Sequence, residues 1–279
     1  MSLDEVEMPE LPEVEHAARV LRAAIAGRRI VGVRVLHPAL RRTLPPSAQR
    51  RLAGRVVRDV VRRGKHQVLH LDNGSALVAH FRMTGDWVVG RATDARERYA
   101  RAELELDDGA RVTLSDARAL ATLTLAEDPA DVLPVLGPEP DDPSLTPASL
   151  AAALSRRRGA IKPALLDQRV IAGVGNIYAA EALWRARIDP RTPARSLGAA
   201  RLRRLIGAIR TVLRRAPAGR YQTDVAASRW HVYDREGLAC HRCGGTVKRI
   251  VQSGRSTYFC PSCQTRTVRP SAGPLTRPG

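Results

Sequence analysis

One short stretch near the start decides how this chain is organised: Met8-Pro9-Glu10-Leu11-Pro12-Glu13-Val14-Glu15. If translation starts at Met8 and that residue is removed, Pro9 carries a free secondary amine. Such an amine can attack an electrophilic carbon to give an iminium, which is covalent catalysis of the Schiff-base type. Glu10 beside it is then a candidate acid or base. The plainer alternative is a stiff entry into a helix, and this stretch alone leaves both open.

Composition limits the class of protein. The chain has 279 residues, which predicts two or three domains rather than one. Its formal charge of +18 suits a polyanionic partner, and nucleic acid is the first candidate. No apolar run reaches the roughly 18 residues of a membrane span, and no signal peptide is recognisable. A soluble, intracellular protein without a membrane partner is therefore expected.

Hydrophobic periodicity divides the chain into a strand-rich part and a helical part. A helix is predicted from Pro12 onward, and residues 28–125 are predicted to form strands and turns. Turns at Asp72-Asn73-Gly74 and Asp107-Asp108-Gly109 predict two hairpins. Antiparallel strands in this rhythm indicate a sandwich or barrel. Residues 148–215 are predicted to be helical.

Four cysteines near the end form two pairs, Cys240-x2-Cys243 and Cys260-x2-Cys263, separated by 16 residues. Thiolates at this spacing can surround one zinc ion tetrahedrally, and a reducing cytosol favours metal over disulfides. We predict one structural Zn²⁺ without an open coordination position. Arg255 lies where the tip of a ribbon hairpin is expected, either as a phosphate or active-site contact or as a solvated side chain.

Three further motifs carry weaker signals. Gly173-Val174-Gly175-Asn176-Ile177-Tyr178 is a glycine-rich turn that opens a helix, and helix N-termini bind phosphate. Arg62-Arg63-Gly64-Lys65-His66 puts dense positive charge at a strand start, with a solvated basic edge as the alternative. His80-Phe81-Arg82-Met83-Thr84-Gly85 ends the next strand, where a buried methionine and a hydrogen-bonded histidine are the alternatives to function.

Taken together, these motifs resemble the formamidopyrimidine-DNA glycosylase / endonuclease VIII family of bifunctional base-excision enzymes. The resemblance also rests on Leu136-Gly137-Pro138-Glu139-Pro140 and Ile161-Lys162-Pro163, in the same order and spacing, and covers Met8 to about Gln264. It implies a multidomain α+β fold. An N-terminal antiparallel β-sandwich with an N-terminal helix precedes a helical helix-two-turn-helix domain and a C-terminal zinc ribbon.

The resemblance gives the following division of the chain. Residues 1–8 are an extension or a mis-assigned start, 9–135 the catalytic β-sandwich domain, 136–147 a linker, 148–235 the DNA-binding helix-two-turn-helix domain, 236–268 the zinc finger and 269–279 a disordered tail.

The implied activity is that of a DNA glycosylase and abasic-site lyase in base excision repair. Pro9 would be the nucleophile on C1′ of the damaged nucleotide, and Glu10 the general acid that assists ring opening. Lys65 would contact phosphate and aid β-elimination. Arg255 would hold a phosphate and support δ-elimination.

The implied partner is damaged double-stranded DNA. Asn176 and His80 would clamp backbone phosphates, and Tyr99 and Arg158 fall at aligned DNA-contacting positions. A base must be flipped out of the duplex before its glycosidic carbon is reachable, and apolar side chains commonly fill the gap.

Two segments would supply that wedge. Met83 fits the first by family position. The second, usually Asp-Pro-Arg-Arg-Phe-Gly, is here Asp116-Ala117-Arg118-Ala119-Leu120-Ala121. Arg118 is kept and could reach the base opposite the lesion. Leu120 replaces the aromatic residue, which leaves a wedge but weakens stacking.

Two other departures concern the substrate and the start. The segment Arg220-Tyr221-Gln222-Thr223-Asp224-Val225 is too compact for the long loop that caps 8-oxoguanine. Formamidopyrimidines, hydantoins or oxidised pyrimidines are therefore expected, and strong 8-oxoguanine activity is not. An internal Pro9 would be a tertiary amide without a nucleophilic lone pair. The active chain is therefore predicted to begin at Pro9, through initiation at Met8.

The main competing interpretation is a non-catalytic DNA-damage-binding protein with the same fold. The retained Glu10, Lys65 and Arg255 argue against it. A zinc-ribbon module on an unrelated enzyme would not explain Pro9 or the turn at Asn176. We further expect a monomer in the bacterial cytoplasm, associated with the nucleoid.

Overall fold

The computed structural model describes residues 8–216 and 230–266. They divide into two compact units, each described here by itself. The first holds residues 8–139, 172–175 and 213–216, and the second holds residues 140–171, 176–212 and 230–266. The expected extension up to residue 7, the segment 220–225 and the expected tail lie outside the described residues.

The first unit begins with helix α1, Leu11–Ile25, so the predicted helix is confirmed. The Glu13 carboxylate accepts the backbone N–H of Glu10 at 3.0 Å, which satisfies a donor that the helix itself leaves unpaired. Pro12 lies in the first turn, where its missing N–H costs nothing. One face of the helix is buried: Val14, Ala17, Ala18, Leu21 and Ile25.

Two antiparallel sheets complete the sandwich. Their strands are β1 (Ile30–Val35), β2 (Val57–Arg63), β3 (His66–Leu71), β4 (Ala76–His80), β5 (Gly85–Arg91), β6 (Ala100–Leu106), β7 (Ala110–Asp116) and β8 (Thr122–Ala126). One sheet has the order β1-β6-β7-β5 and the other β2-β3-β4-β8. Apolar side chains of α1 and both sheets form one core. Both predicted hairpins are present, with Gly74 and Gly109 at positive φ, so the sandwich is confirmed.

Two short helices interrupt the region predicted as strands and turns only. They are α2, Pro38–Arg41, and α3, Pro46–Leu52. Each starts with a proline, whose fixed φ and missing N–H suit the first helical position. Leu40 and Leu52 anchor them in the core. The prediction was wrong here because these prolines were not weighed as helix starts.

The basic motif at residues 62–66 forms the turn between β2 and β3, and much of its charge is paired. Arg62 donates to Glu15 at 2.8 Å and to Glu139 at 2.6 Å. Arg63 donates to Glu139 at 3.0 Å. The expected alternative of a solvated basic edge is therefore wrong for these two arginines.

The second unit is helical and ends in a ribbon. Its elements are α4 (Pro147–Leu154), α5 (Ile161–Leu166), α6 (Asn176–Arg185), most of α7 (Ala199–Arg214), β9 (Lys248–Gln252) and β10 (Arg255–Phe259). Four helices thus lie in the region predicted to be helical, and each buries apolar side chains, which confirms the helical part. In the described part of the chain, no helix combines the length and the apolar character needed to cross a membrane.

The segment predicted as a linker is held by hydrogen bonds although it has little regular structure. In the second unit, Arg210 donates to the carbonyls of Pro140, Asp142 and Leu145 at 2.7, 3.3 and 3.3 Å. In the first unit, Glu139 accepts from the β2–β3 turn. Proline-rich composition therefore marks irregular backbone here, and arginine donors fix its path.

Candidate functional site

The residues around Pro9 are buried and held by a turn far along the chain. Glu10 is 1% exposed, and its Oε2 accepts the backbone N–H of Gly175 at 2.8 Å. The backbone N–H of Leu11 donates to the carbonyl of Gly173 at 3.1 Å. Both bonds lie within the first unit. The Glu10 carboxylate is thus fixed next to Pro9.

The two glycines of this turn are required by the close approach of residues 10 and 11. Gly173 has φ +83°, and a Cβ there would lie 2.6 Å from Leu11 Cδ1. A Cβ on Gly175 would overlap the Glu10 carboxyl group. Because the Gly175 N–H is bonded to Glu10, a phosphate could not use this amide. The glycine-rich turn therefore positions a carboxylate, and its interpretation as a phosphate cradle does not hold for Gly175.

Lys65 reaches the same place from the β2–β3 turn. Gly64 adopts φ +58°, and its backbone N–H donates to Glu139 Oε1 at 2.7 Å, which holds the turn. Lys65 is 7% exposed, and its Nζ lies 3.9 Å from Met8 Sδ. The ammonium therefore stands on the amino side of Pro9. Three of the predicted catalytic residues, Pro9, Glu10 and Lys65, thus belong to the first unit.

Two histidines, half-buried His66 and buried His80, lie beside this lysine. His66 and His80 face each other across β3 and β4, with ring centroids 4.5 Å apart. Burial, then the nearby charges of His66, Arg82 and Lys65, lowers the pKa of His80 to about 3. Burial and Arg82 lower the pKa of His66 to about 4. Both rings are neutral at physiological pH, so His80 can offer a phosphate a hydrogen bond but no charge.

The two predicted wedge segments are joined by one buried carboxylate that sequence reasoning did not single out. Asp116 is fully buried and accepts the Thr84 hydroxyl, which directly follows Met83. It also accepts the backbone N–H groups of Arg118 at 3.1 Å and Leu120 at 2.6 Å. These bonds turn the loop outward, and the Leu120 side chain is 44% exposed. Met83 is half-buried, and Arg118 is exposed.

Two of the remaining predicted DNA contacts are surface residues, whereas Asn176 is buried. Tyr99 directly precedes β6 and is exposed, with the Arg98 guanidinium 5.2 Å from its ring centroid. Arg158 is exposed in the loop between α4 and α5 of the second unit. Neither position conflicts with a contact to DNA.

A buried lysine organises the second unit. Lys162 is 1% exposed and donates to the side-chain oxygen of Asn176, to the Ser256 carbonyl at 2.7 Å and to Thr257 Oγ1 at 2.9 Å. It therefore ties the first residue of α6 to strand β10. Sequence reasoning quoted Lys162 as part of a motif but assigned it no role. A lysine followed by proline inside a helical segment was the available signal.

Arg255 begins β10 directly after the hairpin tip, as predicted. Ser253 and Gly254 form that tip, both with positive φ. Arg255 is exposed. The Arg255 guanidinium group is therefore located at the tip of the two-stranded ribbon.

The four cysteines form one cluster that fits a tetrahedral metal. Their sulfur atoms all lie within 4.8 Å of one another. Cys240 and Cys263 are 3.7 Å apart, and Cys243 and Cys260 are 3.5 Å apart. Metal–sulfur bonds of about 2.3 Å in a tetrahedron place sulfurs about 3.8 Å apart. The Trp184 indole N–H donates to Cys240 Sγ at 3.3 Å, so the sulfur also has an outer partner.

Three family models match this chain in order. The model of the formamidopyrimidine-DNA glycosylase N-terminal domain matches residues 8–123, and that of the formamidopyrimidine-DNA glycosylase H2TH domain matches residues 136–225. A zinc finger found in FPG and IleRS matches residues 237–266.

Two curated relatives match nearly the whole chain. The formamidopyrimidine-DNA glycosylase of Chloroflexus aurantiacus is 40% identical over 277 residues, which covers 94% of this chain and 100% of the relative. That of Rhizorhabdus wittichii is 41% identical over 274 residues, which covers 92% and 100%.

Solved structures agree in fold. The Lactococcus lactis formamidopyrimidine-DNA glycosylase bound non-covalently to DNA with an AP site matches with a TM-score of 0.84 and 29% identity. MutM in complex with DNA containing carbocyclic 8-oxo-G matches with a TM-score of 0.84 and 30% identity. Each match covers 92% of this chain and 100% of the other.

Proposed function

The chain belongs to the formamidopyrimidine-DNA glycosylase / endonuclease VIII family, and from that premise we propose that it cleaves damaged DNA through the amine of Pro9. It is a DNA glycosylase of base excision repair, and its partner is damaged DNA. One observation carries the mechanistic proposal. A buried carboxylate, Glu10, is fixed next to Pro9 by Gly175, with the Lys65 ammonium on the amino side.

The proposed reaction begins with the Pro9 nitrogen. Its lone pair forms a bond to C1′ of the damaged nucleotide, and the base leaves with the electrons of the glycosidic bond and takes up a proton. The nitrogen then loses its own proton to solvent, which restores its lone pair. When the sugar-ring oxygen takes a proton, the ring opens and the C1′–nitrogen bond becomes an iminium. We assign that proton to the Glu10 carboxyl group, because it is the acid next to Pro9 and the Gly175 N–H holds it in place.

Strand cleavage follows from the iminium. It makes the C2′ proton acidic, and loss of that proton expels the 3′ phosphate by β-elimination. A second, δ-elimination expels the 5′ phosphate. We assign Lys65 to the first phosphate and Arg255 to the second, since a fixed positive charge stabilises a departing phosphate.

We assign DNA positioning to residues with a hydrogen-bond donor or an exposed side chain. For backbone contacts these are His80, Tyr99, Arg158 and Asn176, and for the gap left by the flipped nucleotide they are Met83, Arg118 and Leu120. Lys162 supports this assignment indirectly. Because its ammonium donates to the Asn176 side-chain oxygen, the amide NH₂ of Asn176 points away from Lys162.

The cysteine cluster holds a metal ion in this proposal, and we identify it as one Zn²⁺. Four thiolates at these separations suit zinc, which would hold the two ends of the ribbon together. Such an ion has no open position and supplies no chemistry to the reaction. Elemental analysis of the purified protein should give one zinc per chain.

Three further assignments complete the proposal. The active chain begins at Pro9, after initiation at Met8. Preferred substrates are formamidopyrimidines, hydantoins or oxidised pyrimidines rather than 8-oxoguanine. The protein acts as a monomer in the cytoplasm, at the nucleoid. Excision from a panel of duplexes, each with a single lesion, tests the substrate assignment.

Borohydride trapping tests the mechanism. A chain starting at Met1 and a chain processed to Pro9 are each incubated with an abasic-site duplex and borohydride, and mass spectrometry defines each N-terminus. We expect a reduced covalent adduct with the Pro9 form and none with the intact Met1 form. A folded, DNA-binding Pro9 form that gives no adduct would sink the lyase mechanism and leave a damage-binding protein.

A further inference from the structure

Four arginines of the second unit converge on a cavity that the proposed function does not use. The cavity has a volume of 820 Å³, and its lining includes Arg185, Arg187, Arg204 and Arg242. Among the residues that the structure describes, no carboxylate lies within ion-pairing distance of these four side chains; the described ion pairs all involve other arginines. The cavity therefore carries an excess of positive charge, which the thiolates of Cys243 and Cys263 in its lining offset only in part.

This cavity lies away from the residues assigned to DNA in the same unit. Arg185 ends helix α6, and Asn176 begins it, about 14 Å away along the helix axis. The lining also includes Cys243 and Cys263, at the end of the ribbon opposite the tip that carries Arg255. Each strand of that hairpin spans about 16 Å. The cavity and the residues assigned to DNA therefore lie at opposite ends of α6 and of the ribbon.

Arg187, which lines this cavity, has an energetically unfavourable backbone conformation. Its φ is +58°, in the left-handed region. Helix α6 ends there with the N–H of Arg187 bonded to Trp184 and that of Ile188 bonded to Leu183, the pattern that favours glycine at this position. Strained non-glycine residues cluster at functional sites. Arg187, at a position that favours glycine, is therefore a candidate for a functional side chain.

Arg242 is held in place before any ligand arrives. Its guanidinium lies 3.9 Å from the centroid of the Trp184 ring, and its Nη1 donates to the Trp184 carbonyl at 2.9 Å. A side chain fixed in this way loses little freedom when it binds an anion. The cavity therefore combines one preorganised arginine with three exposed ones.

The chemistry of the lining favours phosphate groups. Guanidinium forks match phosphate oxygens, and a nucleic-acid backbone is bound by charge without an apolar anchor. A protein partner would be expected to insert aromatic or aliphatic anchors, but the lining offers only Ala186 as an aliphatic side chain. Residues 266–279 contain no Asp or Glu, so that stretch brings no side-chain carboxylate to the cavity.

We propose that this cavity binds the phosphate backbone of a second DNA segment while the first is held at the lesion-binding face. The inference goes beyond the proposed function and does not depend on the chemistry of Pro9. A protein with two such sites can pass directly from one DNA segment to another. Its dissociation from the first segment then becomes faster as the concentration of the second rises.

Dissociation kinetics test this site with the full chain. A labelled duplex carrying a stable abasic-site analogue is bound, increasing amounts of undamaged duplex are added, and fluorescence anisotropy gives the dissociation rate. For the wild-type protein the rate should rise with competitor concentration. For the double variant Arg187→Gly/Arg204→Ala it should stay constant. Arg203→Ala, an exposed neighbour outside the cavity, should behave as wild type.

The design separates loss of the site from loss of the fold. Arg187→Gly relieves the left-handed strain, so this single variant should melt at or above the wild-type temperature while transfer weakens. Single-turnover cleavage of an abasic duplex reports the catalytic site separately. If the wild type does not cleave, the proposed function fails. The dissociation rates still decide whether the cavity binds a second DNA segment.

Three results would overturn the proposal. One is an unchanged response to competitor DNA in the double variant. Another is a wild-type rate that responds to inorganic phosphate but not to DNA, which would make the cavity a small-anion site. The third is binding of a polyglutamate peptide that Arg204→Ala abolishes without any change in DNA transfer, which would assign the cavity to an acidic protein.

Discussion

At the scale of single residues, the position of the Glu10 carboxylate depends on a glycine, Gly175. The Gly175 N–H holds the carboxylate, and there is no room for a Cβ at that position. Sequence reasoning recognised Glu10 by its place beside Pro9. It could not connect Glu10 with Gly175, because the two residues are 165 positions apart and hydrophobic periodicity carries no information about such pairs.

The substitution Gly175→Ala tests this contact. The added methyl group should displace the Glu10 carboxylate, and base excision should fall by roughly a hundredfold, as when a general acid is removed. Single-turnover excision from a lesion duplex is the measurement. Gly198→Ala, where a Cβ would meet nothing within 4 Å, is the matched control. Equal activity of the two variants would contradict the positioning role of Gly175.

Half-buried His66 and buried His80 together predict how stability depends on pH. The pKa of His66 is about 4 when folded against 6.5 for the free side chain, and His80 is lowered further. The unfolded chain therefore binds protons first as the pH falls below 6.5, so the free energy of unfolding decreases from about pH 6.5 to 4. One such imidazole accounts for about 2–3 kcal/mol over that range.

Urea unfolding at several pH values checks this expectation. His66→Phe keeps a ring against His80 and removes one titrating group, so its stability should fall less than that of wild type between pH 6.5 and 4. The groups that face His66 are His80, Arg82 and the Arg63 backbone, and the substitution leaves all of them in place. Parallel pH curves for the two proteins would show that His66 does not titrate in this range.

At the scale of elements, strands and hairpins followed from sequence, but the loops that carry function did not. Asn73-Gly74 and Asp108-Gly109 have the turn chemistry that specifies a hairpin, and both formed one. The loop after β7 is shaped instead by Asp116, which bonds to Thr84, 32 residues earlier. Such a bond needs the sheet already in place, so a local pattern cannot reveal it.

Thr84→Val tests whether this bond aligns the two wedge segments. Loss of the hydroxyl leaves Asp116 one donor short and should destabilise the fold by about 1 kcal/mol. Excision of a base requires that the damaged nucleotide is flipped out and that side chains fill the space it leaves. The rate of excision should therefore fall more than the rate of cleavage at a preformed abasic site. Both rates are measured under single-turnover conditions. Thr84→Ser, which keeps the hydroxyl, should restore the ratio; an unchanged ratio in Thr84→Val would remove the alignment role.

At the scale of the whole molecule, charge and metal spacing were predictable, whereas the use of individual charges was not. The sequence predicts a nucleic-acid partner from +18 and a metal site from two cysteine pairs. It cannot tell that Arg62 and Arg63 are paired with acids while Arg185 and Arg204 lie in a cavity. The net charge does not show which charged side chains are paired with one another. The fold decides which of them can still bind a partner.

Removal of the metal tests how far the ribbon supports the second unit. The apolar cluster around the cysteines is small, so the ribbon should lose its fold when a chelator takes the ion. Lys162 then loses Ser256 and Thr257, and its buried charge is left with fewer partners. We expect release of one metal ion per chain, a change in near-ultraviolet circular dichroism from Trp184 and weaker DNA binding. Metal release without a change in DNA binding would show that the ribbon contributes nothing to it.

The bond between Glu10 and Gly175 also sets an order of events during synthesis. The ribosome makes the amine end first, but the acceptor turn for Glu10 emerges 165 residues later. At elongation rates of about 5–20 residues per second this interval is roughly ten to thirty seconds. A nascent or prematurely terminated chain that stops before residue 173 carries Pro9 and Glu10 without the turn that aligns them. Truncated products are therefore expected to lack the aligned acid and, under the proposed mechanism, to be unable to cleave DNA.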